Sequence, residues 1–240
     1  MPADARALAA ALQACWPAAE TRRLGPWTIR RGEDGGSRTE AASLEASVEE
    51  GLAAIEDAEA AMRDWGKRPL FVLRPGEEAL DAALAAKGYG VPDRNLILAA
   101  PSVALAAAGG LSAIPCEAPL AAMEEIWAAG GIGSAKLAVM ARTPAPRVSF
   151  LGRLEDRPAG AAFVAAHDGI AMLSALEIAP FARRRGLGAV MVRAAAAWAA
   201  AQGAETFALA VRGANAPALA LYAALGMAEA GRYHYREAPG

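Results

Sequence analysis

Leu176-Glu177-Ile178-Ala179-Pro180-Phe181-Ala182-Arg183-Arg184-Arg185-Gly186-Leu187-Gly188 decides how the chain is read. It runs from an apolar strand through a short turn and a basic cluster into glycines that open an Ala-rich helix. The first N–H groups of a helix have no internal partner, and the helix dipole favours negative charge there. Gly186 and Gly188 let the backbone come close to a phosphate, and Arg183, Arg184 and Arg185 offer counter-charge. The order points to a phosphate-bearing ligand held where a strand feeds a helix. A solvated, basic helix start is the plain alternative.

The residues downstream fit the first reading. Glu205 to Val211 has the content and length of a strand. Asn215 is a good helix N-cap, Pro217 fits the first turn, and Gly226 is a good stop. With these residues in place, "LEIAPFARRRGLGAVMV" and "LAVRGANAPALALYAALGM" resemble the two linked acetyl-CoA blocks of the GNAT superfamily of acyl-CoA N-acyltransferases. The resemblance is continuous from about Val148 to Arg236. It implies an α/β fold with a mixed central sheet flanked by helices, and acetyl-CoA as the acyl donor.

It also implies roles. The amides from Arg184 through Gly186, Leu187 and Gly188 to Ala189 would hold the CoA pyrophosphate, with Arg183, Arg184 and Arg185 beside it. Main chain at Leu176 and Ile178 would pair with the pantetheine arm as an added strand does. Asn215 and Ala218 would border the thiol end. Tyr222, one turn beyond Ala218 on the same helix face, would be the general acid for the departing thiolate. A backbone N–H near Ile178 would steady the oxyanion. Direct attack by an amine in a ternary complex is implied, since no Cys or Ser stands in a nucleophile context. The plain reading of Tyr222 is an aromatic packed on the sheet.

Some family members carry a glutamate on the strand before the Asn, where Ala210 stands here. Glu177 is the nearest substitute by sequence, and equally reads as an alternating polar residue on a strand. Of the two histidines, His167 falls in a hairpin turn with Asp168 and Gly169. His234 falls on the last strand, with either an acceptor-facing or a structural role. The acceptor is expected to be a small-molecule or peptide amine. A non-catalytic acyl-CoA sensor is the competing reading, and transfer of a bulkier acyl chain stays open.

The formal net charge of −2 argues against bulk binding of nucleic acid. Cys15 and Cys116 lie far apart without metal-like spacing, so neither a disulfide framework nor a metal site is expected. The opening "MPADARALAAALQACWP" reads as a short amphipathic helix rather than a secretion signal. The uncharged stretch Leu96 to Cys116 is broken by Pro101, Gly109, Gly110 and Pro115, so it reads as a strand end and a connection, not a membrane span. A cytoplasmic protein, monomer or homodimer, is the expectation.

The first half echoes the second. With an offset of 138, "LRPGEEALDAALAAKGY" (Leu73 to Tyr89) lies over "VRGANAPALALYAALGM" (Val211 to Met227). The echo keeps strands (Leu70 to Leu73, Asn95 to Leu98) and a helix (about Leu44 to Trp65), but not the chemistry. Asn215 falls on Glu77 and Tyr222 on Leu84, while the Arg-Gly cluster falls on Glu45 to Glu50. Residues 1–110 are therefore expected to be a degenerate GNAT-like lobe and 111–240 the catalytic domain. The opening "CWPAAETRRLGPWTIRRGEDGGSRTEAAS", a Trp27 to Arg31 strand then a Gly32 to Gly36 turn, resembles two-lobed bacterial GNAT proteins. Pro119 to Ala129 and Ser134 to Ala141 resemble the two helices that wall the acceptor pocket in that family; Gly130-Gly131-Ile132-Gly133 between them reads as a flexible inter-helix loop or as a link that lends the wall mobility.

Overall fold

The structure, a computed structural model, describes residues 4–107 and 110–240. Along the first half come α1 (Ala5–Ala14), β1 (Glu20–Leu24), β2 (Trp27–Arg31), the single turn α2 (Ser37–Glu40) and the short β3 (Ser43–Leu44). Then come α3 (Val48–Ala53), α4 (Ile55–Asp64), β4 (Leu70–Leu73), α5 (Glu78–Ala86), β5 (Arg94–Pro101) and α6 (Ser102–Leu105). The second half holds β6 (Ala113–Cys116), α7 (Ala121–Ala129), α8 (Ser134–Arg142), β7 (Arg147–Leu154), β8 (Arg157–His167) and β9 (Ile170–Ile178). It ends with α9 (Leu187–Ala201), β10 (Thr206–Arg212), α10 (Ala216–Ala224) and β11 (Ala228–Glu237).

Where one helix was expected from about Leu44 to Trp65, the chain makes a strand end and two helices. Ser43 and Leu44 pair with β2, and Ser47 starts α3 with a reciprocal capping box to Glu50. The helix breaks again at Ala54, with φ −117°. The two glycines expected to interrupt the stretch after β5 include Gly109, which lies outside the described residues, as does Met1 of the opening segment.

Eight strands form one sheet in the order β4-β11-β5-β10-β9-β8-β7-β6, and β1, β2 and β3 form a second, small one. The halves are interleaved. β5, from the first half, lies between β10 and β11 of the second, and β11 lies between β4 and β5. The register obeys the same offset of 138 that relates the sequences. Leu73 opposite His234 becomes Val211 opposite Leu96, and Leu70 opposite Glu237 becomes Ala208 opposite Ala99. Asn95 and Tyr233, mates under that offset, pair with each other, so a local pseudo-twofold axis runs between them. Each half lends its last strand to the other.

The sheet's two faces bury different cores. On one, α9 lays Ala194, Ala195, Ala196 and Ala199 against Phe150, Val164, Leu173 and Leu209. Such small side chains bring the helix close to the sheet. On the other, Leu8, Trp16, Met123, Trp127 and Val139 pack on Phe163, Met172, Tyr233 and Tyr235. Trp27, Phe71, Met62 and Leu80 form a third cluster within the first half. Cys15 and Cys116 are free, and burial pushes the Cys15 thiol up to about 11. Among the described residues no helix is long and apolar enough to cross a membrane.

Candidate active site

β9 and β10 run parallel and paired from Ile170 beside Thr206 as far as Leu173 beside Leu209, then separate. The cause lies in β9. Against β8, Glu177 faces Ala161 but Ser174 faces Phe163, so one extra residue is accommodated between them. Ala175 takes φ +53°, and the Trp127 indole N–H donates to its carbonyl at 2.7 Å. A bulge fixed this way turns the strand aside and leaves main-chain groups unpaired. Leu176 and Ile178, the residues expected to meet a pantetheine arm, lie on this freed stretch. The Ile178 carbonyl is not open there: Arg183 Nε donates to it at 3.0 Å.

Beyond β9, Gly186 caps α9 with φ +85°, a conformation other residues adopt only under strain. Among the described residues, the amides of Arg184, Arg185, Gly186, Leu187 and Gly188 donate to no backbone carbonyl. The amide of Ala189, expected with them, is instead bonded to the Gly186 carbonyl at 3.0 Å, because the first turn tightens. A methyl at Gly188 would lie 3.2 Å from a Leu221 methyl, so bulk there would press α9 away from α10. The run of open amides fits a diphosphate. Of the three arginines, Arg183 pairs with Glu177 at 3.1 Å and Arg185 with Glu155. Arg184, with φ +63°, is exposed and makes no ion pair among the described residues.

The gap between β9 and β10 opens into a cavity of about 540 Å³. Leu209, Ala218 and Tyr222 reach it from the α9–α10 face of the sheet. Ala175, Ala210, Trp16 and Tyr235 reach it from the opposite face. Asn215 caps α10 through its own Oδ1, which accepts from the Ala218 amide at 3.2 Å. Tyr222 is buried, and that burial pushes its phenol up to about 12. It therefore keeps its proton at neutral pH.

Glu177 does not line the cavity, but it adjoins a residue that does. A methyl at Gly130 would come within 2.6 Å of the Glu177 carboxylate. His234 is turned away: its Nε2 lies 2.7 Å from Asp81 Oδ1 on α5, and Arg236 Nε donates to the same oxygen at 2.7 Å. The structural reading of His234 is the one that stands. His167 sits at the β8–β9 turn, beside Asp168.

Several cavity residues carry no sign in the sequence that they line it. Trp16, Gly35, Gly36, Ser37, Arg38, Asp93 and Asn95 all come from the first half. The opening stretch that holds Trp16 and Gly35 to Arg38 resembles two-lobed relatives but does not place them at a cleft, which they reach, as Asn95 does on β5, only in the folded chain. Among the described residues Asp93 is the only carboxylate lining the cavity, and it pairs with Arg212 at 3.3 Å. Among the described residues no cluster of His, Cys, Asp and Glu could hold a metal ion.

A mixed sheet split beside a helix whose leading amides stand open leaves a cleft suited to an anionic ligand. Residues 119–227, a little under half of the chain, match the acetyltransferase (GNAT) family, so this segment is a GNAT domain. No curated protein sequence matches the chain. In fold, it is similar to a GCN5-related N-acetyltransferase from Kribbella flavida, at 20% identity and TM-score 0.75, over 97% of this chain and 95% of that one. It is also similar to a GCN5-related N-acetyltransferase from Sphaerobacter thermophilus, at 13% identity and TM-score 0.62, over 90% and 78%. A tandem GNAT protein from the clavulanic acid biosynthesis pathway shares the fold at 13% identity and TM-score 0.61, over 89% and 78%.

Proposed function

We propose that the protein transfers an acetyl group from acetyl-CoA to a primary amine by direct attack, with both reactants held across the β9–β10 gap. The observation that carries this is the cavity itself, which joins the two faces of the sheet beside open helix amides. Acetyl-CoA supplies the acyl group as a thioester. The amides of residues 184–188, with Arg184, hold its diphosphate, and Leu176, Asn215 and Ala218 flank its arm. Arg183 and Arg185 brace the loop through Glu177 and Glu155.

The chain's own groups handle the protons. Tyr222, on the donor face and protonated at neutral pH, holds a proton at its hydroxyl for the departing sulfur. Glu177, carried on the edge of β9 next to Gly130, takes the proton the amine gives up, directly or through water. Ala210 leaves the opposite wall without an acid. The site's other contribution is to hold amine and thioester together with little water, which lowers the barrier by saving entropy. The first half, residues 1–110, is read as a degenerate copy of the second, 111–240, that supplies cleft walls rather than a second CoA site.

Free-thiol release over a panel of amines, with acetyl-CoA binding by calorimetry alongside, tests the reading. Tyr222→Phe should lower kcat by about 10²-fold or more while leaving acetyl-CoA affinity within about twofold. Glu177→Gln should lower kcat by about tenfold or more while leaving acetyl-CoA affinity within about twofold. Unchanged rates in both variants would discard these assignments. Acetyl-CoA binding without thiol release on any amine would point to a sensor instead.

A further inference from the structure

Resting on the acetyl-transfer reading, we propose that the acceptor is a small amine carrying its own carboxylate, and that Arg38 of the first half is the residue that selects it. The cavity is lined by Arg38, Lys136 and Arg212 against the single carboxylate of Asp93, which Arg212 already neutralises. Two positive charges are left over. Lys136 reaches only a backbone carbonyl, that of Gly131, at 3.2 Å. Arg38 makes no ion pair among the described residues, and its Nη1 is buried without any hydrogen-bond partner. An ionised donor left unmet in this way is costly, and water or an anion completes such a site; with two uncompensated cations beside it, an anion is the better match.

Two more polar atoms of cavity-lining residues share that state: Asn95 Nδ2 and Ser174 Oγ. Asn95 is itself only 8% exposed. Arg38 Nη1 and Asn95 Nδ2 can only donate, and Ser174 Oγ can. Together they describe a recess for something rich in lone pairs. The apolar cavity that stands in for this one across the pseudo-twofold axis, where Val72, Arg74 and Tyr233 replace Ala210, Arg212 and Asn95, has no such orphaned atom among its lining residues.

The place of Arg38 separates acceptor from donor. Its guanidinium lies 6.0 Å from the Trp16 ring centre, on the sheet face that carries Ala210, Tyr233 and Tyr235. Tyr222, Ala218 and the α9 loop lie on the other face. A guanidinium here is out of place for the CoA diphosphate and well placed for the group behind the attacking amine. The planar fork favours a carboxylate over a diffuse contact. A protein N-terminus brings no carboxylate at a fixed distance behind its amine; an amino acid does.

The test uses the full chain, the free amino acids and their carboxamides as matched pairs, and two variants. Carboxylates should be acetylated with lower KM than their amides. Arg38→Gln should raise KM for the carboxylates by about tenfold or more and leave the amides unchanged. Arg38→Lys should recover part of the loss. Acetyl-CoA affinity should be the same in all three proteins, which separates this proposal from the reading it rests on. If acetyl-CoA binds but amides or other neutral amines are used as well as carboxylates, or Arg38→Gln weakens both arms alike, the proposal is wrong. Absence of both thiol release and calorimetric binding with every amino acid, at saturating CoA, would also overturn it.

Discussion

Each half of this chain has a turn that leads into a helix, one open and one sealed. In the second half, Gly186 leads α9 with no side-chain cap, and the amides of residues 184–188 are left without backbone partners. In the first half, Ser47 leads α3, taking the Glu50 amide at 3.3 Å while the Glu50 carboxylate takes the Ser47 amide at 3.0 Å. Arg-Arg-Gly has become Ser with Glu49 and Glu50 in the first turn. The helix starts at α10 and α5 run the other way: Asn215 caps with its side chain, whereas Glu77 at the start of α5 does not. Binding is thus not a property of the strand–helix turn as such. It depends on whether the chain satisfies its own first amides or leaves them to a ligand.

The largest way to break this comparison is to close the open turn. Gly186→Glu places a carboxylate and a Cβ where φ is +85°, and should weaken acetyl-CoA binding by at least about a hundredfold in calorimetry. Retained affinity would show that the ligand sits elsewhere. The converse change opens the sealed turn. Ser47→Ala should cost about 1 kcal/mol in urea unfolding and leave acetyl-CoA affinity untouched. A change in that affinity would mean the first half does hold the cofactor.

The smallest effect concerns the seam between halves. Asp81 on α5 meets Arg236 and His234 on β11, and the Arg236 bond is the main cause holding its carboxyl down to about 2, below the ordinary 3.8. A depressed carboxyl adds stability that is complete above the unfolded value and lost as pH falls through the folded one. Asp81→Asn should therefore destabilise by about 1 kcal/mol at neutral pH, after allowance for solvent screening. The gap from the wild type should close as pH falls from about 4 to 2. A gap that persists at pH 2 would mean that Asp81 acts by packing rather than by charge.

What the sequence discloses is local. Gly186, Gly188 and the arginines sit together in thirteen residues, and the turn they form needs no distant partner to be recognised. Asn215 as a cap and Tyr222 on its helix face are legible for the same reason. A single helix from Leu44 onward fails as a reading because Ser47, the residue that starts the real one, lies inside it. Arg38, Asp93 and Asn95 are invisible because they meet Ala210 and Arg212 only through pairing across more than a hundred positions. The offset of 138 matches the two halves but does not show that β5 and β11 change places. Nor does it show that the Ala189 amide is drawn into the helix while its five predecessors stay out.

The interleaving of β5 and β11 bears on how such a chain can shed parts over time. A half whose own binding turn has closed would ordinarily be free to shrink away. Here, deleting it would strip the intact half of the neighbour beside β10 and punch a hole in the floor of the reaction chamber. The first half is held in place by carpentry, whatever its side chains add to the cleft.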